Sequence, residues 1–289
     1  MDLVGVAERL PLPGETVLGD DFLMMPGGKG ANQAIAAARA GGQAVFLGAI
    51  GSDSFGVTLS ARLHAAGVDT AHVRTSYGAS GVAVIMVDRA AENSILVAPG
   101  ANSTFSGLTE AEQRVIAGGD VLLCQLEIPI DTVTAACRAA RAAGTRAILN
   151  AAPARELPAD LLANVDLLVV NEVEAQTITG AGKPDMAALL ALVPRVVLTL
   201  GGAGSHYAER DDQGGRDEIV PAFVVEATDT TAAGDAFTGA LAVAWGEGRD
   251  LIEAVRWANA AGAACVRKMG ASSALPTRDE IDEIFAGQA

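Results

Sequence analysis

Apolar residues along this 289-residue chain follow two rhythms. From about residue 119 onward, short runs that are apolar nearly throughout, at 121–126 (VLLCQL), 146–149 (RAIL), 165–170 (VDLLVV) and 196–200 (VVLTL), alternate with helical stretches such as 131–143, rich in alanine and arginine. Strands whose two faces are both covered need continuous apolar runs of this kind, and strand–helix alternation reads as parallel βαβ units. Nearer the C terminus, Phe237, Ala240, Leu241, Ala244 and Trp245 fall at i, i+3, i+4, i+7 and i+8, one stripe of a helix.

The first hundred residues have another texture. Segments 16–25, 81–88 and 93–98 are short, β-compatible and broken by turn residues, and Glu92-Asn93 follows Asp88 as a hairpin tip would. They predict a small antiparallel sheet apart from the main one, with edges that need cover, from a partner subunit for instance. Between them, 30–40 and 53–66 read as helices and 45–50 as another buried strand. There is no internal repeat, low-complexity tract or long linker.

Where the apolar runs stop turns a packed core into a candidate site. They end at Glu127, Asn150, Asn171 and Gly201-Gly202. Ligands of open α/β sheets bind at the carboxyl ends of the strands, so polar or glycine residues at successive strand ends predict a crevice. Composition agrees with an α/β chain able to bury a sizeable core, since 50% of residues are hydrophobic but only 4% aromatic. Twenty Lys+Arg against 35 Asp+Glu give a formal net charge of −15, the wrong sign for a nucleic-acid backbone or an anionic membrane surface. Cys124, Cys137 and Cys265 are far apart without a C-x-x-C, and His64, His72 and His206 form no metal or nucleophile motif. With no leader pattern and no apolar run of transmembrane length, the expected location is the cytoplasm.

DTTAAGDAFTG (229–239) places Asp235 at the start of the helix that carries the 237–245 stripe. An aspartate there makes a good N-cap. The small residues Ala232, Ala233 and Gly234 ahead of it also leave the first N–H groups uncovered, open to a tetrahedral anion. PGGKGANQA (26–34) is a glycine-rich turn into a helix with the apolar face Ala31, Ala34, Ile35 and Ala38. Gly27, Gly28 and Gly30 let backbone approach a ligand, and Lys29 and Asn32 supply donors. NEVEA (171–175) sets Asn171 and Glu174 three apart, either a capping pair or an outer-sphere grip on Mg²⁺–phosphate. TLGGAG (199–204) closes a strand but lacks the dinucleotide fingerprint, Tyr207 standing where a glycine is needed. GAGKPD (180–185) imitates a P-loop, yet Thr177 and Pro184 occupy the places of its obligatory Gly and Ser/Thr. Together these elements offer what phosphoryl transfer needs: an anion hole, a carboxylate for the acceptor's proton, a metal, and glycine-rich turns. Asp235 is the expected base, with the amides around Ala232, Ala233 and Gly234 facing the transferred group.

PGGKGANQA and DTTAAGDAFTG resemble the two signatures of the ribokinase-type (PfkB) carbohydrate and purine kinase family. The likeness continues through PLPGETV (11–17), APGAN (98–102), QLEIP (125–129), NAAPARELP (150–158), NEVEA and TLGGAG, essentially the whole chain in order. GGKGANQA and QLEIP resemble the ribose-phosphorylating members more than fructokinases or adenosine kinases. The resemblance implies an α/β ribokinase-like fold, a central, mostly parallel sheet flanked by helices, with a small β-sheet lid. Segments 1–27 and 80–98 would form the lid, and 28–79 and 99–289 the nucleotide- and sugar-binding core, with a homodimer built through the lid. It implies phosphorylation of D-ribose at the 5-hydroxyl by ATP, with Mg²⁺ and K⁺, and Asp235 as general base. Asp2, Gly28, Lys29, Asn32 and Glu127 match sugar-binding positions. Asn171, Thr199, Gly201, Gly202, Gly204, Gly234 and Asn259 match nucleotide positions, although Asn259 beside the apolar face Leu251, Val255, Ala258 and Gly262 also suits a satisfied buried amide. Asp229 and the backbone of Thr231, Cys265, Lys268 and Gly270 match the K⁺ ligands, and Glu174 an indirect Mg²⁺ contact.

Two positions depart from the family pattern. Ala274, with Ser273 beside it, stands where the family usually has a serine near the K⁺ site. Family members also open with a buried strand ending G-S-x-N-x-D, whereas this chain begins at Met1-Asp2, where the final x-D falls. The expectation is that Met1 is an internal methionine, that upstream codons read like V-V-G-S-x-N, and that Asp2 otherwise sits on a frayed terminus. The alternatives are another small-sugar or nucleoside kinase of the family and, in a different class, a non-catalytic sugar sensor on the same fold. The retained A-A-G-D argues against a sensor, and the missing G-x-G-x-x-G argues against a nicotinamide-dependent dehydrogenase.

Overall fold

The computed structural model describes residues 1–90, 92–210 and 214–287. The chain opens with strands β1 (Asp2–Ala7) and β2 (Gly19–Met25), then helix α1 (Lys29–Arg39), β3 (Gly48–Gly51), α2 (Ser54–Ala65), β4 (Val73–Ser76), β5 (Val82–Val87) and β6 (Asn93–Ala98). After α3 (Glu110–Gly118) come β7 (Val121–Cys124), α4 (Ile130–Ala143), β8 (Arg146–Asn150), the short α5 (Ala159–Leu162) and β9 (Leu167–Asn171). Next are α6 (Glu172–Thr179), α7 (Met186–Leu192), β10 (Arg195–Thr199), β11 (Ser205–Glu209) and β12 (Arg216–Val220). Helices α8 (Ala233–Gly246), α9 (Leu251–Val266) and α10 (Arg278–Gly287) close the described chain.

Among the described residues the main sheet has the order β12-β11-β10-β9-β8-β7. Strands β7 to β10 are parallel, and β11 and β12 extend the sheet by antiparallel pairing. Side chains alternate across a strand, and here both faces meet helices. Ile148, Leu167, Val169 and Val197 join the cluster built on α8 and α9, while Leu149, Leu168, Val170 and Val196 join the cluster under α4 to α7. This two-sided cover is why the runs are apolar throughout rather than alternating. The parallel strands end on one side of the molecule, with Asn150 and Asn171 as the last residues of β8 and β9 and Gln125–Glu127 and Gly201 just beyond β7 and β10.

The smaller sheet has the order β2-β1-β5-β6, and its pairing corrects one expectation. β1 is antiparallel to β2 but parallel to β5, so the sheet is not purely antiparallel. The long connection through α1 and α2 between β1 and β5 permits the parallel pair, which a hairpin cannot make. The terminus is not frayed either. Met1 is buried and its ammonium donates to the Gly81 carbonyl at 2.8 Å, and β1 runs in the middle of the sheet. The 82–98 hairpin forms as expected, with the Asp88 amide bonded to the Glu92 carbonyl, although Ala91 at its tip lies outside the described residues. Among the described residues β3 pairs only with β4, in a separate two-stranded parallel sheet.

Candidate active site

Helix α8 lies against α1 at Gly239. A Cβ there would come within 2.6 Å of the Ala36 Cβ and 2.7 Å of the Gln33 carbonyl, so only glycine lets the two helices meet this closely. That approach brings Asp235, in the first turn of α8, onto the first turn of α1. Its Oδ2 accepts from Asn32 Nδ2 at 2.9 Å and its Oδ1 from Gln33 Nε2 at 2.9 Å. The expected N-cap is thereby corrected. The cap position is Ala232, left-handed at φ 61°, with no side-chain cap bond, because the Asp235 carboxylate is drawn to the amides of another helix. Burial raises the Asp235 pKa, and Gln33, Lys29 and Asn32 oppose that rise.

Gly28, with φ 101°, caps α1, and Lys29 follows as its first residue. The Lys29 amide donates to Glu127 Oε2 at 2.8 Å. The Asp2 carboxylate lies over Gly27, where any Cβ would meet it at 2.1 Å. Four carboxyls converge here, and burial is the first cause raising each of Asp2, Glu127, Glu174 and Asp235. Lys29 is the shared cation that counters all four. Asn32 Oδ1 is buried without a hydrogen-bond partner, an acceptor turned into the site.

At the start of α8, the Ala233 amide bonds the Thr230 carbonyl at 3.3 Å and the Ala236 amide the Ala232 carbonyl at 2.8 Å. The first turn therefore leaves Gly234 and Asp235 as the helix's orphan amides, one residue further along than the sequence suggests. Asp229 accepts from the Thr231 amide at 2.9 Å and the Gly270 amide at 2.8 Å. Burial pushes the Asp229 carboxyl up, but these bonds outweigh it and hold the pKa below the usual value. The Asp229 and Thr228 amides bond the Val266 carbonyl, which gathers Asp229, Thr231, Cys265, Lys268 and Gly270 in one loop cluster. Ala274 is fully buried in an apolar cluster with Ile35, Leu63 and Cys265.

A match to the model of the pfkB family of carbohydrate kinases runs over residues 1–278. The chain belongs to that family. It is 41% identical over 283 residues to the ribokinase of Haemophilus influenzae, covering 94% of this kinase and 91% of that protein. It is 39% identical to the ribokinase of Bacillus subtilis over 99% of its own length and 96% of the relative's. Its fold superposes on the structure of Arabidopsis thaliana ribokinase complexed with ribose and ATP with a TM-score of 0.91, at 30% identity, covering 98% and 95% of the two chains.

The remaining candidate residues of the kinase fall into two groups. Asn171 and Glu174 form a reciprocal capping box at the start of α6, each side chain accepting from the other's amide at 2.8 Å. Asn259 is the satisfied buried amide: its Nδ2 donates to the Val220 and Pro221 carbonyls and its Oδ1 accepts from Ser205 Oγ at 2.6 Å. Gly204 is a packing glycine, since a Cβ there would lie 2.2 Å from the Val220 carbonyl, whereas Gly202 borders open space. Thr199 Oγ1 donates to the Val170 carbonyl at 3.3 Å, and Gly201 takes a positive φ of 55°. The sequence reading missed Gln33 and Gln125. Their signal was the second of two consecutive amides in GANQA, off that helix's alanine face, and a glutamine just past a strand end.

Proposed function

We propose that this kinase transfers the γ-phosphoryl group of ATP to the 5-hydroxyl of D-ribose, giving ribose 5-phosphate and ADP. The observation that carries the reading is Asp235, a buried carboxylate beside the orphan amides at the start of α8 and held at Oδ2 by the Asn32 amide nitrogen. Asp235 takes the proton as the sugar oxygen attacks the phosphorus and the bond to the ADP oxygen breaks. The Gly234 and Asp235 amides meet the charge on the transferred group. Asn32 Oδ1, Asp2, Glu127 and Lys29 offer hydrogen-bond partners to the sugar hydroxyls. The names of the Haemophilus and Bacillus relatives, and the ribose and ATP of the Arabidopsis complex, support the substrate pair.

Mg²⁺ arriving with ATP supplies neutralising charge at the phosphates, and Asn171 and Glu174, already engaged with each other, would meet it only through water. The Asp229 cluster suits a monovalent cation: one ionised carboxylate with main-chain oxygens of Thr231, Cys265, Lys268 and Gly270 would hold K⁺, placing positive charge beside the anion hole. The sheet β2-β1-β5-β6 acts as a lid (segments 1–27 and 80–98) over a core of 28–79 and 99–289. Its row Met24–Leu3–Val84–Leu96 lies opposite the face that carries Asp2, and Met24 and Leu96 are 59% and 68% exposed, an apolar surface suited to a second copy of this chain. No described helix is long and apolar enough to cross a membrane, and three free buried thiols, with Cys124 and Cys137 side by side, suit a reducing cytoplasm.

ADP release from ATP and Mg²⁺ against D-ribose, 2-deoxyribose, fructose and adenosine, with and without K⁺, tests the reading. Turnover highest on ribose and raised by K⁺ is the expected result. A second acceptor is favoured by similarity to the deoxyribokinase of Salmonella typhi, at 33% identity over 99% of this chain. Preference for 2-deoxyribose would retain the mechanism and change the acceptor. ADP release indifferent to every acceptor would overturn the reading.

A further inference from the structure

The hydrogen bonds behind Asp235 form a one-way chain. Asn150 Nδ2 donates to the Val169 main-chain carbonyl at 3.2 Å, an acceptor that cannot reverse, so Asn150 Oδ1 faces the other way. That oxygen accepts from Gln33 Nε2 at 2.8 Å. Gln33 Nε2 also donates to Asp235 Oδ1 at 2.9 Å, and Gln33 Oε1 accepts from Gln125 Nε2 at 2.5 Å. An amide has one donor end and one acceptor end, so an anchor on a main-chain carbonyl fixes the orientation of both amides. Gln33 is fully buried, and both ends of its amide are engaged. A buried polar group satisfied in this way specifies a single geometry for its neighbours.

We propose that Gln33 is the positioning residue of the catalytic base. Locked by Asn150 and Gln125, it presents a donor and never an acceptor to Asp235 Oδ1. With Asn32 on Oδ2, each carboxylate oxygen then keeps a lone pair for the acceptor hydroxyl. The inference rests on Asp235 being the base. The charged and titratable groups facing Asp235 are Lys29 on α1, Asp2 on β1, Glu127 beyond β7, Glu174 on α6 and Cys265 on α9. Burial and Asp2 raise the Asp235 pKa, and the Gln33 bond is the largest influence lowering it. Gln33 therefore helps keep the base ionised as well as aimed.

The test compares Gln33→Leu, Gln125→Leu and Asp235→Asn by steady-state kinetics with ATP and the best acceptor of the panel, across pH, with thermal unfolding as the check on folding. Gln33→Leu is expected to lower kcat about ten- to a hundredfold, as outer hydrogen bonds to functional groups do. KM for both substrates should stay within about threefold, the signature of a defect confined to the transition state, while the acidic limb of kcat moves to higher pH. Gln125→Leu takes the donor from Gln33 Oε1, leaves that amide held only through its nitrogen, and should give a smaller loss of the same kind. A folded Gln33→Leu with wild-type kcat and an unmoved acidic limb would overturn the proposal, as would a loss confined to KM. If Gln33→Leu does not fold, Gln125→Leu decides by the same criteria. Wild-type turnover in Asp235→Asn would remove the base and the proposal with it, whereas an inactive Asp235→Asn beside a normal Gln33→Leu would remove the positioning role alone.

Discussion

Strands β9 (LLVVN) and β6 (NSILVA) are both short and apolar, yet they live in opposite environments. The leucines and valines of β9 are at most 2% exposed, whereas every residue of β6 is exposed. The sequences do not make that difference; the neighbours do. β9 is central in a sheet with helices on both faces, and β6 is the edge of a sheet and open on both of its faces. Stability therefore concentrates in the main sheet, and the smaller one is left with surface to offer to ligands or a partner. Asp235 and its two amides sit at the junction, since only three residues separate β2 from α1, which packs on α8. Under the proposed function, the base would be held from the rigid side and the sugar approached from the exposed side.

The comparison is sharpened most by Asp235→Asn. If the rigid junction supplies the base, kcat should fall by about 10²- to 10⁴-fold, with circular dichroism and thermal midpoint close to wild type. Turnover near the wild-type rate would mean that proton removal lies elsewhere.

Next in size is Leu168→Ala in β9. Leu168 is fully buried and pairs with Leu149 and Val196. Removing it should cost about 2–5 kcal/mol of stability through lost burial and a residual cavity, read by denaturant unfolding. Turnover per folded molecule should stay unchanged. A cost below about 1 kcal/mol would contradict the assignment of stability to the main sheet.

A smaller effect should appear in the pH profile. Burial raises Asp235 above the ordinary aspartate value of about 3.9. A protonated Asp235 cannot accept the hydroxyl proton, so kcat falls as pH drops through the raised value, and the acidic limb lies above about pH 4. For stability the sign is opposite. A carboxyl whose folded pKa exceeds its unfolded one contributes stability below the unfolded value and loses it as pH rises through the folded value, so Asp2, Glu127, Glu174 and Asp235 all weigh on the fold at neutral pH. Saturating kinetics between pH 4.5 and 8 measure the limb.

The main sheet was legible because two-sided burial writes itself as unbroken apolar runs, and the strand end at Asn150 lies within hydrogen-bond reach of the Gln33 amide that holds Asp235. The smaller sheet was read only in part. DLVGVA carries no turn signal and no strict alternation, so β1 and its parallel pairing with β5 depend on contacts made eighty residues away. Asp235 was picked out, but its orientation was misjudged, because capping is a local rule and the donors that claim its carboxylate come from α1. Gln33 was passed over for the same reason: a second amide off the alanine face of α1 has no assigned partner until Gly239 brings α8 against it.

The smallest expected effect on stability belongs to the outward face of the smaller sheet. Leu96→Glu adds a charge at a position that is already 68% exposed, in the row shared with Met24, Leu3 and Val84. A substitution at such a site should change the monomer's stability by no more than about 0.5 kcal/mol. If the face joins two copies, the same change should shift the sedimentation coefficient from dimer to monomer and raise the KM for ribose, because a sheet without its partner holds the sugar less well. A large loss of stability together with loss of the dimer would show the face to be structural in the assembled protein. An unchanged sedimentation profile and KM would mean that this apolar row covers nothing, and the contrast between the sheets would then be one of exposure alone.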